Sequence, residues 1–167
     1  MSTSRRTFLK TSALAAAGAV LPAKSWAKVL GANADIRVAV IGMNGRGQNH
    51  ISSLQRIQGV RIVALCDPDT AVLDRTKPKV NGGDVKTYTD IRELLNDKDV
   101  DAVTIATPNH WHSLAAIWAM QNGKDVYVEK PVSHNVWEGR QLVNAAKKYN
   151  KVVQAGTQIR SGEGLRE

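Results

Sequence analysis

From residue 34 onward, short apolar runs alternate with amphipathic stretches. The run at residues 36–41, Ile-Arg-Val-Ala-Val-Ile, is β-branched and too short for a helix, so it predicts a strand. Runs of the same kind predict strands at 60–66, 85–88, 101–106, 126–128 and 152–155. Between them the apolar period lengthens to that of a helix. Ile51, Leu54 and Ile57 make one stripe over residues 47–57. Asp69 is placed to cap a helix that Pro78 must stop, and Asp90 to cap a short one carrying Ile91, Leu94 and Leu95. Residues 111–122 predict a fourth helix closed by Gly123, and 136–149 a fifth with Val136, Val143 and Ala146 inward.

Strands joined by helical crossovers pair in parallel, because each connection is a right-handed crossover. The predicted class is therefore α/β, a doubly wound parallel sheet of order 3-2-1-4-5-6. Such a sheet binds ligands where the order reverses, at the carboxyl ends of strands one and four.

Charge and composition refine this picture. The 167 residues carry a net +8, of which Arg5, Arg6, Lys10 and Lys24, with no acid before residue 28, supply half. The remainder is modest and holds no dense basic block, so a nucleic-acid partner is not expected. Ser4-Arg5-Arg6-Thr7-Phe8-Leu9-Lys10 resembles a twin-arginine export signal, followed by an Ala-rich apolar stretch at 11–21 and by Pro22. Ser25-Trp26-Ala27 offers small residues for cleavage after Ala27. Residues 1–27 are therefore expected to engage the twin-arginine (Tat) translocase and leave the mature chain periplasmic or extracytoplasmic. One cysteine, Cys66, excludes an internal disulfide and a Cys-rich zinc site. No apolar run reaches the roughly 18 residues of an ordinary transmembrane helix, so no membrane association is expected once the signal is removed.

Candidate chemistry falls at the predicted carboxyl ends. Gly42, Met43, Asn44, Gly45, Arg46 and Gly47 leave the first strand and open a helix. Glycines there allow a tight turn and let a pyrophosphate approach backbone N–H groups. Asn44 stands where the common G-x-G-x-x-G pattern has its second glycine; a purely structural turn is the alternative. Asp67 ends the second strand, 20 residues after Gly47, where an acid accepts hydrogen bonds from an adenosine ribose. Its charge would repel a 2′-phosphate and favour NAD over NADP, although Arg46 softens that preference if it reaches a phosphate. An Asp-Pro turn is the plainer role for it. Thr107, Pro108, Asn109 and His112 follow the fourth strand, and Glu129, Lys130 and Pro131 end the fifth. Two imidazoles, His110 and His112, are too few for a metal site; a cofactor-lining loop is the better reading, and no metal is expected. A lysine beside a cofactor pocket can hold a substrate hydroxyl and help move its proton. Cys66 and Trp118 are expected in the core, Trp111 and Trp137 packed rather than stacked on a sugar, and His50 and His134 at the surface or at helix starts.

Together, the Val40-Ile41-Gly42 turn through Gly47, Cys66-Asp67-Pro68, Thr107-Pro108-Asn109 with His112, and Glu129-Lys130-Pro131 resemble the nucleotide-binding half of the Gfo/Idh/MocA oxidoreductases. The resemblance covers roughly residues 35–158 and implies a Rossmann domain (34–158), a nicotinamide cofactor and a sugar or polyol substrate. It implies Lys130 as the catalytic residue near substrate and nicotinamide, with the 107–109 loop, His112, Glu129, Lys130 and Gln158 binding the cofactor, Gln158 near a domain junction. It further implies a homo-oligomer at full length and a second α/β domain for the substrate, with residues 159–167 as its start. The chain is therefore expected to hold only the nucleotide half and to be inactive alone. The expected reaction is hydride transfer at a sugar or polyol hydroxyl. The alternatives are a glycosidase or epimerase that oxidises transiently with NAD, and a dinucleotide-binding module without catalysis.

Overall fold

The computed structural model describes residues 35–158. The export signal with its cleavage site, and residues 159–167, lie outside the described residues. Six strands form one sheet: β1 (Ile36–Ile41), β2 (Val60–Cys66), β3 (Lys86–Tyr88), β4 (Ala102–Ile105), β5 (Asp125–Glu129) and β6 (Val153–Gly156). All pairs are parallel, in the order β3-β2-β1-β4-β5-β6. The expected topology is therefore present. Between β1 and β2 the register slips after Val38, which leaves Val63 as a bulge.

Five helices connect the strands: α1 (Arg46–Leu54), α2 (Thr70–Thr76), α3 (Ile91–Asn96), α4 (His112–Gln121) and α5 (Val136–Tyr149). Asp69 Oδ1 accepts from Ala71 N at 2.9 Å and Asp90 Oδ1 from Arg92 N at 2.8 Å, so both acids cap as their positions predict. Asn135 caps α5 by accepting from Glu138 N at 2.9 Å.

Alternate strand residues feed two cores. Val40, Ile62 and Leu65 pack under α1 and α2 with Met43, Ile51, Val72 and Leu73. Ala39, Ile41, Val103, Ile105, Val126 and Val128 pack on the opposite face under α3, α4 and α5. Both faces are covered, which is why the central strands read as continuous apolar runs. Trp118 packs half-buried against the second core.

Two helix faces differ from expectation. α1 stops at Leu54, and Ile57 lies beyond it, half exposed, in the loop that Gly59 turns into β2. In α5, Val136 is 90% exposed and Val143 is also exposed, whereas Leu142 and Ala145 are buried. Ala146 meets the core as expected, half-buried. The period located an apolar stripe, but the inward face is set by how the helix rolls on its neighbour α4. Trp137, expected to pack, is 70% exposed.

At the amino ends of the strands, Arg37 ties β1 to the start of β4 through Asp101 Oδ2 and Oδ1, at 3.0 and 2.8 Å. Lys124, buried, donates to the carbonyls of Asp97 and Val100, both at 2.7 Å. Chemistry-bearing loops gather at the other rim. No helix among the described residues is long and apolar enough to cross a membrane.

Candidate nucleotide-binding site

The backbone ladder continues past the strand ends and fixes the loops. Gly42 N donates to Cys66 O at 2.9 Å, Ala106 N to Ile41 O at 2.8 Å, and Asp67 N to Tyr88 O at 3.1 Å. The β1 and β4 loops consequently touch. Gly42 has φ +78°, and a Cβ there would stand 2.8 Å from Thr107 N. A Cβ on Gly47 would stand 2.0 Å from Gly42 O, so the first turn of α1 rests directly on the loop's own carbonyl. Gly45 differs: nothing lies within 4 Å of its Cβ position. Two glycines are thus demanded by packing, while the third leaves open space in front of the start of α1, where backbone N–H groups have no intrahelical partner.

Asp67 is buried and organises this loop. Its Oδ2 accepts from Met43 N at 3.1 Å and its Oδ1 from Asp69 N at 3.1 Å. Each carboxylate oxygen keeps a further lone pair for a hydroxyl. Met43 offers only backbone to the cleft, because its side chain is fully buried in the core under α1. Asn44 Oδ1 accepts from Arg75 Nη2.

A cleft of about 790 Å³ opens over this loop. Its walls are the 42–45 turn, Asp67 and Pro68, the Thr89–Arg92 stretch, and Ala106, Thr107 and Pro108 with Trp111 and Trp118. Sequence reasoning left out the Thr89–Arg92 wall and the two tryptophans. Only the pairing of β3 beside β2 brings that stretch to the cleft. Among the described residues, the Thr107 hydroxyl is the one buried side-chain polar atom without a partner. An unsatisfied hydroxyl at the junction of both loops, open space before Gly45 and a carboxylate at the β2 end together fit a dinucleotide.

A second cleft, about 610 Å³, shares Ala106 and Thr107 with the first and is lined by Arg46, Asn109, His112, Glu129, Lys130 and Gln158. Lys130 is exposed there, and its ammonium makes no hydrogen bond among the described residues. The peptide bond between Lys130 and Pro131 is cis. Glu129 is buried and accepts from Arg46 Nε at 3.0 Å, His50 Nε2 at 2.9 Å, Gln158 Nε2 and the Lys130 backbone N–H at 3.2 Å. Burial pushes its carboxyl up, but the donors His50, Arg46 and Lys130 N–H outweigh this and hold it below the usual carboxylate value. Tyr127 OH accepts from Gln158 Nε2 at 3.1 Å, and the His50 ring meets the Tyr127 ring edge-on at 5.3 Å.

His50 corrects the surface expectation: it is 8% exposed, with Nδ1 2.6 Å from Thr104 Oγ1. Its position in a helix gave no signal, because its partners come from β4 and β5. His134 is exposed at the start of α5, as expected. His112, also buried, sets Nδ1 2.6 Å from Pro131 O and Nε2 2.8 Å from Thr107 O. It staples the β4 and β5 loops together behind the second cleft. Among the described residues no three of His, Cys, Asp and Glu gather as a metal-holding group.

A glycine turn between β1 and α1, a carboxylate at the end of β2 and a cleft at the switch point define a dinucleotide-binding domain. The chain belongs to the Gfo/Idh/MocA family: the family model described as "Oxidoreductase family, NAD-binding Rossmann fold" matches residues 36–157. A twin-arginine translocation signal matches residues 2–22, which marks the chain for export by that pathway to the periplasm or beyond.

The chain is 39% identical over 126 residues to "Glycosyl hydrolase family 109 protein 1" of Shewanella sp. strain ANA-3, covering 70% of this chain and 27% of that protein. It is 37% identical over 126 residues to "Alpha-N-acetylgalactosaminidase" of Shewanella oneidensis, with the same shares. Among solved structures it resembles myo-inositol 2-dehydrogenase from Lactobacillus plantarum, with TM-score 0.73 and 30% identity, covering 79% of this chain and 39% of that one. The scyllo-inositol dehydrogenase of Lactobacillus casei with bound NAD(H) and scyllo-inositol shares the fold, with TM-score 0.73 and 24% identity over 79% of this chain and 39% of that one. The chain thus spans about a quarter of the length of these two curated relatives.

Proposed function

We propose that residues 35–158 bind NAD and serve as the nucleotide half of an exported enzyme that moves a hydride at a sugar or polyol hydroxyl. The observation that carries this reading is the join of the two clefts through Ala106 and Thr107, with Lys130 exposed in the second. Gly45 and the amide groups opening α1 hold the pyrophosphate. Asp67 accepts the ribose hydroxyls, and its charge disfavours a 2′-phosphate. The Thr107 hydroxyl finds its partner on the dinucleotide, and Asn109 and His112 keep the nicotinamide end in place. When bound, the nicotinamide supplies a hydride acceptor at C4.

Lys130 Nζ hydrogen-bonds the reacting hydroxyl. In oxidation Lys130, acting in its neutral amine form, takes the hydroxyl proton as the carbon loses its hydride; in reduction the resulting ammonium returns the proton to the oxygen. Glu129 holds the Lys130 backbone and Arg46 without touching substrate. The walls that enclose substrate come from outside residues 35–158.

The family 109 relatives favour a second form of the same first step. Transient oxidation of a sugar hydroxyl to a ketone acidifies the neighbouring C–H. Loss of that proton expels the glycosidic oxygen, which takes up a proton and leaves as an alcohol. Water adds across the resulting double bond, and the hydride then returns to the ketone carbon. A redox-neutral cycle suits an exported protein, which meets little free NAD.

Mass spectrometry of nucleotide released from purified precursor should find NAD; finding none, with no NAD bound on titration, removes the reading. In the full-length protein, Lys130→Ala should abolish turnover while NAD affinity stays within about twofold. Lost affinity with retained turnover would overturn the role given to Lys130. Accumulation of reduced cofactor with a polyol, against leaving-group release without it from a glycoside, separates the two forms.

A further inference from the structure

Arg92 stands in the wall of the larger cleft beside Asp67, Pro68 and Thr89. Its guanidinium is folded onto Asp90: Nε lies 3.0 Å from Oδ1 and 3.1 Å from Oδ2, and Nη2 lies 2.5 Å from Oδ2. The same Oδ1 accepts the Arg92 backbone N–H at 2.8 Å as the cap of α3. One carboxylate therefore holds both the main chain and the side chain of its neighbour.

A forked guanidinium is the protein group best matched to a phosphomonoester. Dinucleotide folds that accept a 2′-phosphate do so with an arginine near the ribose carboxylate. Arg92 occupies a wall shared with Asp67, yet its Nε–H, shared between the two carboxylate oxygens, and one Nη2–H are directed at Asp90 rather than into the cleft. Arg75, across the turn, is likewise tied, to Asn44 Oδ1.

We propose that Asp90 is a specificity-determining residue: by sequestering Arg92 it withholds the cation that would pair with the 2′-phosphate of NADP. Preference for NAD then rests on two acids, Asp67 by repulsion and Asp90 by occupying Arg92. The inference rests on the reading that this cleft binds a nicotinamide dinucleotide.

The test is calorimetric titration of the full chain with NAD and with NADP. Asp90→Ser keeps an oxygen for the cap and removes the charge; Asp90→Asn, also a good cap, serves if the serine variant does not fold. The wild type should bind NAD at least tenfold more tightly than NADP. Asp90→Ser should narrow that ratio by about tenfold through tighter NADP binding, and Asp90→Ser with Arg92→Ala should restore the wild-type ratio. An unchanged ratio in the single variants, or a narrowed ratio that survives loss of Arg92, overturns the proposal. Equal binding of both nucleotides by the wild type also overturns it while the nucleotide reading stands. No binding of either nucleotide by the wild type removes the nucleotide reading itself, and the proposal with it.

Discussion

His50 Nε2 lies 2.9 Å from Glu129 Oε1, joining α1 to the carboxyl end of β5 beneath Lys130. Both side chains are buried. The carboxylate can only accept, so Nε2 carries the ring proton and Thr104 meets the opposite nitrogen. The helix that opens at the glycine turn is thereby fastened to the strand that presents the candidate catalytic lysine.

Removing the imidazole leaves a buried carboxylate short of a donor. His50→Ala should cost about 1–3 kcal/mol of stability in urea unfolding. A loss within about 0.5 kcal/mol, the usual scale of a surface change, would mean the pair carries little weight.

The same carboxylate gives a pH dependence of definite sign. Its folded value lies below the unfolded one, because the donors outweigh burial. The resulting stability is present above the unfolded value, about 4.3, and is lost as pH falls through the folded value. Acid titration of the unfolding free energy should show this loss below about pH 4.3, and Glu129→Gln should remove that share of it. An identical acid limb in the variant contradicts the assignment.

The glycines of the turn should separate in their effects. Gly47→Ala places a Cβ against the Gly42 carbonyl and should sharply lower stability. Gly45→Ala meets nothing and should cost no more than about 1 kcal/mol, through weaker capping. It should nevertheless weaken NAD binding about tenfold or more, since the methyl group enters the space proposed to hold the pyrophosphate. Paired melting and binding curves distinguish the two, and equal behaviour would refute the division of roles.

Cys66 should be inert in the native state. Burial first, then the nearby charges of Asp67, Asp90 and Glu93, push its thiol up to about 12. Ellman's reagent should label it only after denaturant is added; rapid labelling of folded protein would contradict its place in the core.

Export should depend on the paired arginines. Converting Arg5 and Arg6 to lysine should retain the precursor in the cytoplasm, measured by fractionation. Undiminished export would mean another route carries the chain.

Much of the fold was legible because its signals are local. A β-branched run that ends at a glycine or an acid specifies a strand and its exit, and Asp69 and Asp90 cap helices with their own side chains. Parallel order then follows from crossover handedness. The glycine turn and Asp67 were legible for the same reason: backbone geometry at the end of a strand restricts which residues fit. The Thr89–Arg92 wall was not legible, since it reaches the cleft only through the pairing of β3 with β2.

Sequence by itself therefore determined the export signal, the strand and helix succession, and the placement of the glycine turn, Asp67 and Lys130 at the carboxyl ends of the strands. Tertiary structure alone decided that His50 is buried against Glu129, that Met43 points into the core, that α5 turns Leu142 and Ala145 inward in place of Val136 and Val143, and that Arg92 folds onto Asp90 beside the cleft. The division has one cause. Turns, caps and apolar periods depend on neighbours a few residues away, whereas burial and pairing of polar side chains depend on which elements meet. His50 and Glu129 are 79 residues apart in the chain and 2.9 Å apart in the fold.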